Sequence, residues 1–360
     1  SFATFLEASA KPVESAHLEP ESSAQARSGD VFHHQRLLLA GDAVVDCSSR
    51  ELLTVTGPDR LIWLNSLITQ KVDDLTPGQT KESMILSPQG KIEYPFLMTD
   101  DGDTTFLLTE SGLGEPLRAW LQSMVFRMDA QVSLISGKQV LGFLTEISQE
   151  VELHPAVIEF VDPWPSVGVG SIGYASEPHL GASWSLTYRV YDHDAKADLD
   201  PLVLVPESSL TGLMIAVARP TMAEVDEKSL PHELDWLRTS IHLEKGCYRG
   251  QESVAKVHNL GHPPRRLTLL HLDGSESTLP DPGDAVFIGD KAVGVITRAA
   301  WHYELGPIAL ALLKRNTSLE AALSVEHEAT FIPATGEVIV PPDAGATRAT
   351  PRLPRLGQRG

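Results

Sequence analysis

The sequence predicts an α+β fold whose C-terminal part is a small β-barrel. Antiparallel hairpins alternate with helices over the first half of the chain, which is typical of an α+β layer rather than a doubly wound parallel sheet. After Arg266 the sequence changes to short strands separated by turns, which favours a small barrel or sandwich. A chain of 360 residues is also too long for one core and predicts about two or three packing units.

Turn residues divide the first half of the chain into strands and helices. Gly57-Pro58-Asp59 begins the first helix, because proline and acidic residues suit the free N–H groups of a first turn. Ser87-Pro88-Gln89-Gly90 joins two strands into a hairpin. In this half we expect strands at 52–56, 82–86, 92–98, 105–108, 131–135, 157–161 and 186–191, and helices at 61–68, 116–124, 210–217 and 233–237.

The predicted barrel consists of short strands, and one of its turns has a clear hairpin sequence, Gly289-Asp290-Lys291. We expect its strands at 267–272, 285–288, 292–297 and 308–313. The two ends of the chain contain few residues to bury. We therefore predict a flexible N-terminal arm over 1–30, the α+β core over 31–262, the β-barrel over 263–340 and a disordered tail over 341–360.

Charge and cysteine content exclude several classes of function. The net charge of −19 repels phosphate backbones and anionic lipids, so we expect no direct nucleic-acid partner and no membrane partner. No apolar run approaches the roughly 18–20 residues that a membrane span needs. The two cysteines, Cys47 and Cys247, build no disulfide framework, no metal site and no resident iron–sulfur cluster. A reducing cytoplasm is the expected compartment.

Two short motifs match known binding patterns only in their spacing. Residues 168–173 satisfy G-x-G-x-x-G, but Pro163 and Pro165 occupy the place of the preceding strand and Pro178 breaks the following helix. We therefore expect a glycine loop rather than a dinucleotide site. His258 and His262 have the HxxxH spacing, but Gly261 ends the helix between them, so we expect ordinary hydrogen-bonded histidines rather than metal ligands.

The most informative segment is K-G-C-Y-R-G-Q-E at residues 245–252. It places Cys247 between Lys245 and Arg249, and nearby positive charge favours the thiolate. Residues 245–266 contain five basic residues, namely Lys245, Arg249, Lys256, Arg265 and Arg266, against the single acid Glu252. This local positive excess suits an anionic small molecule. The alternative is a glycine turn around a small buried cysteine, with solvated cations.

This segment resembles the signature of the YgfZ family of folate-binding proteins, which are related to the aminomethyltransferase (T-protein) of the glycine cleavage system. Further matches include Val55-Thr56-Gly57-Pro58-Asp59-Arg60, Gly90-Lys91, Arg219-Pro220 and Pro231-His232-Glu233-Leu234. The resemblance extends roughly from residue 38 to residue 340. It implies a two-part folate-binding core, a C-terminal β-barrel and tetrahydrofolate in a central opening.

The resemblance also implies a role in the assembly or repair of iron–sulfur enzymes, including enzymes that modify tRNA, with Cys247 as the functional residue. It makes the remaining motif residues Lys245, Tyr248, Arg249, Gln251 and Glu252 candidate folate ligands. Arg298 is a further candidate, for the glutamate tail of folate, and the alternative is an exposed arginine in a salt bridge. The expected partners are folate and iron–sulfur client proteins.

The sequence departs from the T-protein pattern in the second hairpin. Where T-proteins resemble G-G-I-x-D-D, residues 90–95 read G-K-I-E-Y-P, and only Glu93 can replace the missing acids. A folate-dependent aminomethyltransferase or demethylase is therefore the second hypothesis, and a purely structural scaffold is the third. Pterin recognition usually needs a carboxylate and a stacked aromatic ring. The candidates are Glu93, Glu224, Glu233, Tyr94, Tyr248 and Trp301.

Overall fold

A computed structural model describes residues 24–148, 155–192 and 199–347. Residues 1–23 of the predicted arm and residues 348–360 of the predicted tail lie outside the described residues. The elements in chain order are α1 (Ala24–Ala40), β1 (Ala43–Asp46), β2 (Glu51–Thr56), α2 (Arg60–Leu67), β3 (Thr80–Leu86), β4 (Ile92–Asp100), β5 (Thr104–Thr109), α3 (Gly114–Met124), β6 (Gln131–Ile135), β7 (Lys138–Phe143), β8 (Ile158–Val161), β9 (Thr187–Asp192), β10 (Val203–Pro206), α4 (Thr211–Ala216), α5 (Leu237–Ser240), α6 (Gln251–Leu260), β11 (Arg265–Leu272), β12 (Ala285–Ile288), β13 (Lys291–His302), β14 (Gly306–Lys314), β15 (Leu323–His327) and β16 (Thr330–Val338).

The first half of the core is an antiparallel sheet with strand order β3-β4-β5-β2-β6. Helices α2 and α3 pack on one face of this sheet. Leu64 and Leu117 from the helices join Leu53 and Leu107 from the strands in one buried cluster. This is the hairpin-and-helix layer that the turn residues predict, and the other face of the sheet remains available for the second half of the core.

The second half of the core is a sheet with strand order β10-β1-β7-β9-β8. β1 pairs with β10 in parallel, over residues 43–46 and 203–206, and the other neighbours are antiparallel. Strands β1 and β10 are missing from the sequence prediction because four residues without alternation carry too little pattern. Apolar residues of both sheets and of the barrel meet in one large buried cluster.

The C-terminal part is a closed six-stranded barrel with strand order β11-β14-β13-β12-β15-β16. Its interior is filled by aliphatic side chains such as Leu270, Ile296 and Val325. The barrel also packs against helix α1, where the Gln35 amide donates to the carbonyl of Trp301 at 2.9 Å and accepts from the N–H of Tyr303 at 2.9 Å. The predicted C-terminal β-barrel is therefore confirmed.

One predicted helix is wrong, and the described structure continues across both proposed terminal boundaries, which remain predictions. Residues 233–237 do not form one helix, because a 3-10 turn over Pro231–Leu234 ends at Asp235, whose φ of +55° lies in the left-handed region. Helix α1 crosses the proposed boundary at residue 30. Ala344 is buried, although it follows the proposed start of the tail at 341. Within the described residues, no helix has the length and hydropathy of a membrane-spanning segment.

Candidate functional site

A central cavity lies where the two sheets and the barrel meet. Its first hollow has a volume of about 30 Å³ and is lined by residues of both sheets and of the segment after α4, among them Glu82, Tyr188, Arg219 and Trp236. A second hollow of about 260 Å³ is lined by Ser49, Glu207, Thr211, Arg298 and others. Arg50, Glu110, Met214 and Thr221 line both hollows, so the two are parts of one cavity.

Arg219 is held in the wall of the first hollow by two buried carboxylates. Its Nη2 donates to Oε1 of Glu82 at 2.7 Å, and its Nε donates to Oδ2 of Asp162 at 2.9 Å. The guanidinium also lies 5.2 Å from the centroid of the Trp164 ring. The third nitrogen, Nη1, is buried and has no hydrogen-bond partner among the described residues. The pairing fixes the orientation of the guanidinium and leaves one donor unused.

Two further arginines line the second hollow, and each is paired with a glutamate. The Nε of Arg50 donates to Oε1 of Glu207 at 2.9 Å, and its guanidinium lies 4.6 Å from the centroid of the Tyr188 ring. The Nε of Arg298 lies 3.1 Å from Oε1 of Glu224. Arg298 therefore lines the central cavity. A residue that binds the glutamate tail of a folate in that cavity would have to lie there.

The thiol turn, residues 245–252, connects α5 with α6 and carries an exposed cysteine. Cys247 is exposed, whereas Cys47 is buried, and burial raises the pKa of the Cys47 thiol to about 12. The alternative of a small buried Cys247 is therefore wrong. Gly250 has a φ of +85°, and a Cβ atom there would lie 2.6 Å from the carbonyl oxygen of Ser87. The turn consequently packs closely on the β3–β4 hairpin, and only glycine fits at position 250.

Lys245 is a structural residue rather than a free cation. Its ammonium donates to the carbonyl oxygens of Asn65 at 2.7 Å, Ile68 at 2.7 Å and Gln70 at 2.8 Å. These carbonyls belong to the C-terminal end of α2 and the residues after it, where the helix has unsatisfied acceptors. Burial lowers the pKa of the Lys245 ammonium to about 8. All three ammonium hydrogens are in use, so the role of Lys245 is to anchor the thiol turn to α2.

Replacing Lys245 by methionine is expected to reduce the free energy of unfolding by about 2–4 kcal/mol, because three carbonyl oxygens lose their donor. Denaturant unfolding of the variant and the wild type measures this difference. Lys256→Met is the matched control, since Lys256 is exposed on α6 and its loss should change stability by less than about 0.5 kcal/mol. Equal stability of the two variants would contradict the anchoring role.

The other residues of the thiol turn also make contacts within the protein. Nη1 of Arg249 donates to Oε2 of Glu93 at 3.0 Å, and the guanidinium lies 5.6 Å from the Trp120 ring centroid. The amide of Gln251 donates to the carbonyl of Lys245 at 3.2 Å. Tyr248 is buried, and burial raises the pKa of its hydroxyl above the usual range. Glu252 is exposed in the first turn of α6.

The predicted positive patch does not exist as a free surface. Arg265 pairs with Asp226 and Glu233, while Arg266 is buried and donates to three carbonyl oxygens. Four of the five basic residues thus have partners within the chain, and Lys256 remains exposed. The prediction of a positive patch was wrong because it counted charges along one segment of the sequence. The acids and carbonyl oxygens that pair with these basic residues come from distant segments.

The candidate pterin residues are similarly dispersed. Glu93, Glu224 and Glu233 pair with Arg249, Arg298 and Arg265 respectively, so arginines already occupy all three carboxylates. Tyr94 packs against the apolar cluster beneath α2 and α3. The Trp301 ring lies edge-on to Phe32, with centroids 6.3 Å apart.

The two motifs set aside in the sequence behave as expected. Residues 168–173 form a loop without helix or strand, held by hydrogen bonds from Gly168 N to Arg238 O and from Leu243 N to Gly170 O. Nδ1 of His258 lies 2.9 Å from the Tyr174 hydroxyl, and Nδ1 of His262 lies 2.8 Å from the Ala344 carbonyl.

Apart from Arg298, the polar residues that line the central cavity were not predicted as site residues. Arg50, Glu82 and Glu110 come from separate segments, and no short motif connects them. A weak signal does exist at Glu110, where an acidic residue directly follows the apolar strand β5. Of the described residues that line the cavity, none belongs to the thiol turn. The structure therefore separates Arg298 from the other six predicted site residues.

Comparisons with known proteins relate the chain to aminomethyltransferases. No family model matches it. The aminomethyltransferase of Moorella thermoacetica is 26% identical over 317 residues, which cover 81% of this chain and 83% of that protein. A putative chloroplastic transferase of Arabidopsis thaliana is 25% identical over 303 residues, covering 74% of this chain and 65% of that protein. A mitochondrial iron–sulfur cluster assembly factor homolog of Chaetomium globosum is 25% identical over 285 residues, covering 71% and 63%.

A solved structure has the same fold. The glycine cleavage system aminomethyltransferase T of Bartonella henselae matches with a TM-score of 0.66 at 16% sequence identity, over 88% of this chain and 90% of that one. The two-part aminomethyltransferase-like core and the C-terminal barrel are thus confirmed. The narrower resemblance to the YgfZ family and the cytoplasmic location remain predictions.

Proposed function

We propose that the chain binds tetrahydrofolate in the central cavity and supports the assembly or repair of iron–sulfur proteins through Cys247. The observation that carries this proposal is the exposed thiol in a turn that is fixed on both sides. Lys245 anchors the turn to α2, and Gly250 packs it on the β3–β4 hairpin. A thiol in this position is accessible to a large partner without any rearrangement of the core.

The cavity supplies the features that a folate needs. Small-molecule sites typically combine apolar walls with a few fixed polar groups. Here Tyr188 and Trp236 provide aromatic surface in the first hollow, and Arg298 provides a cation in the second hollow for a carboxylate tail. The relatives named aminomethyltransferase support a folate-related site in this fold.

The separation of the thiol from the cavity favours a protein partner for Cys247. No residue of the thiol turn lines the two hollows, and the exposed thiol is open to an iron–sulfur client that approaches from solvent. The relative from Chaetomium globosum, named as a cluster assembly factor homolog, supports iron–sulfur clients. We propose that these clients include enzymes that modify tRNA.

Two measurements test the proposal. Calorimetric titration of the purified full chain with tetrahydrofolate should show saturable binding, whereas the scaffold hypothesis predicts no heat of binding. A strain that lacks the protein should lose activity of cluster-dependent enzymes and regain it with the wild-type chain. Absence of folate binding, or full cluster-enzyme activity in the deficient strain, would contradict the proposal.

The alternative function is that of a folate-dependent aminomethyltransferase or demethylase, and the names of several relatives favour it. The local chemistry opposes it, because Tyr94 and Pro95 occupy the two positions where T-proteins carry acids, and Arg249 pairs with Glu93. Incubation with tetrahydrofolate and an aminomethyl donor distinguishes the two functions. Formation of methylenetetrahydrofolate with release of ammonia would establish the transferase.

A further inference from the structure

A separate cavity lies at the end of the barrel where strands β11 and β13 begin and strands β12 and β14 end. We call it the barrel pocket. Its volume is about 470 Å³, which is larger than either hollow of the central cavity, and it shares no lining residue with them. The lining combines three apolar residues with six basic or polar residues, namely Pro264, Ile288 and Val293 with Lys291, Lys314, Arg315, Asn316, Thr317 and Ser318.

The barrel pocket carries positive charge only. Among the described residues that line it, Lys291, Lys314 and Arg315 are basic and none is acidic. Lys314 and Arg315 donate to backbone carbonyls, at 2.8 and 3.2 Å, which holds both side chains in place without neutralising them. The neighbouring acids along the chain, Asp290 and Glu320, are exposed and do not line the pocket. In a chain with a net charge of −19, these cations focus a local positive potential on the pocket.

A fourth cation lies directly behind the wall of the barrel pocket. Arg266 is 2% exposed, and its guanidinium donates to the carbonyls of Arg315 at 3.0 Å and Thr317 at 2.8 Å, two residues that line the pocket. Its third acceptor is the carbonyl of Val340, so its described side-chain partners are neutral. A buried charge without a counter-charge is costly, and an anion in the pocket would reduce that cost. Arg266 thus fixes the loop over 314–318 and adds to the positive potential.

We propose that the barrel pocket binds a phosphate group, either free or as part of a small molecule. Several cations without an acid match a ligand with more than one negative charge, and a phosphate monoester carries about 1.5–2 negative charges at pH 7. Lysine and arginine form strong charge-assisted hydrogen bonds with phosphate oxygens, and the polar residues at 316–318 can donate to the same group. The pocket volume is within the range of about 300–1,000 Å³ typical of small-molecule sites. The site is independent of the proposed folate function.

Calorimetric titration of the purified full chain at low ionic strength tests the site with inorganic phosphate, adenosine 5′-diphosphate and glutarate. At least one of the two phosphate probes should bind saturably with a Kd below about 1 mM. Glutarate carries its two negative charges on separate carboxylates and should bind at least about tenfold more weakly. Tighter binding of the diphosphate than of inorganic phosphate identifies a phosphate ester as the ligand, and the opposite order identifies free phosphate. If neither phosphate probe binds, or if glutarate binds as tightly, the inference is wrong.

The double variant Lys291→Gln, Lys314→Gln tests whether the phosphate binds in the barrel pocket. Both side chains are exposed, so the fold should be retained, and the affinity for the phosphate probe should fall at least about tenfold. Lys228→Gln, Lys256→Gln is the matched control, because it removes two exposed positive charges away from the pocket and should bind like the wild type. Equal phosphate affinity of the two double variants would overturn the inference. A chain that binds phosphate in this pocket but binds no tetrahydrofolate would contradict only the proposed function.

Discussion

A Cys247→Ala variant is expected to keep its fold and its folate affinity but to reduce cluster-enzyme activity to the level of a strain without the protein. The thiol is exposed and contributes nothing to the core, so the free energy of unfolding should change by less than about 0.5 kcal/mol. Folate affinity should be unchanged because the thiol turn does not line the central cavity. Client activity in cell extracts, calorimetry with tetrahydrofolate and denaturant unfolding measure the three quantities.

The other cysteine supplies the control for this experiment. Cys47 is buried, and burial raises the pKa of its thiol to about 12, so it is unavailable as a nucleophile. Cys47→Ala should cost about 1 kcal/mol of stability and leave client activity per folded molecule unchanged. Unchanged client activity in Cys247→Ala would exclude a role for the exposed thiol, and a loss in Cys47→Ala alone would reverse the assignment.

The hairpins and the barrel region could be predicted from the sequence because hairpin turns and hydrophobic periodicity are local, whereas helix α1 and strands β1, β10, β15 and β16 were not predicted. Ser87-Pro88-Gln89-Gly90 joins β3 to β4 as predicted, and Gly289 begins the turn between β12 and β13. The helix expected at 233–237 does not form, for a reason that hydrophobic periodicity does not reveal. Asp235 adopts a left-handed conformation, and the chain reverses there between two short helical turns.

The candidate site was only partly predictable, because its chemistry depends on contacts between distant segments. The thiol turn is one continuous motif and was found directly. The anchoring role of Lys245 could not be predicted, because its three acceptors lie about 175–180 positions earlier in the chain. Arg219 was noted as part of a resemblance, but its partners Glu82 and Asp162 come from different sheets and share no spacing with it.

The distribution of charge has a different meaning in the structure than in the sequence. The two basic residues that flank Cys247 are paired, Lys245 with backbone carbonyls and Arg249 with Glu93, so they fix the turn rather than attract an anion. A buried donor without a partner among the described residues lies instead at Nη1 of Arg219, which lines the central cavity. The central cavity, where we propose that folate binds, and the exposed thiol therefore belong to separate parts of the molecule, which allows each to be altered without the other.

Replacing Arg219 by methionine is expected to reduce the free energy of unfolding by about 3–5 kcal/mol, because Glu82 and Asp162 then remain buried without their cation. Arg118→Met is the matched control. It also removes an arginine from a carboxylate, Glu115, but both side chains of that pair are largely accessible and the cost should stay below about 1 kcal/mol. Denaturant unfolding of the two variants measures the difference.

A triple variant separates charge burial from packing in this network. Adding Glu82→Gln and Asp162→Asn to Arg219→Met removes the two uncompensated charges and should recover more than half of the lost stability. No recovery would show that the loss comes from the packing of the guanidinium between Trp164 and Trp236. If Arg219→Met lowers the free energy of unfolding by no more than Arg118→Met does, the buried network of Arg219, Glu82 and Asp162 does not stabilise the fold as expected.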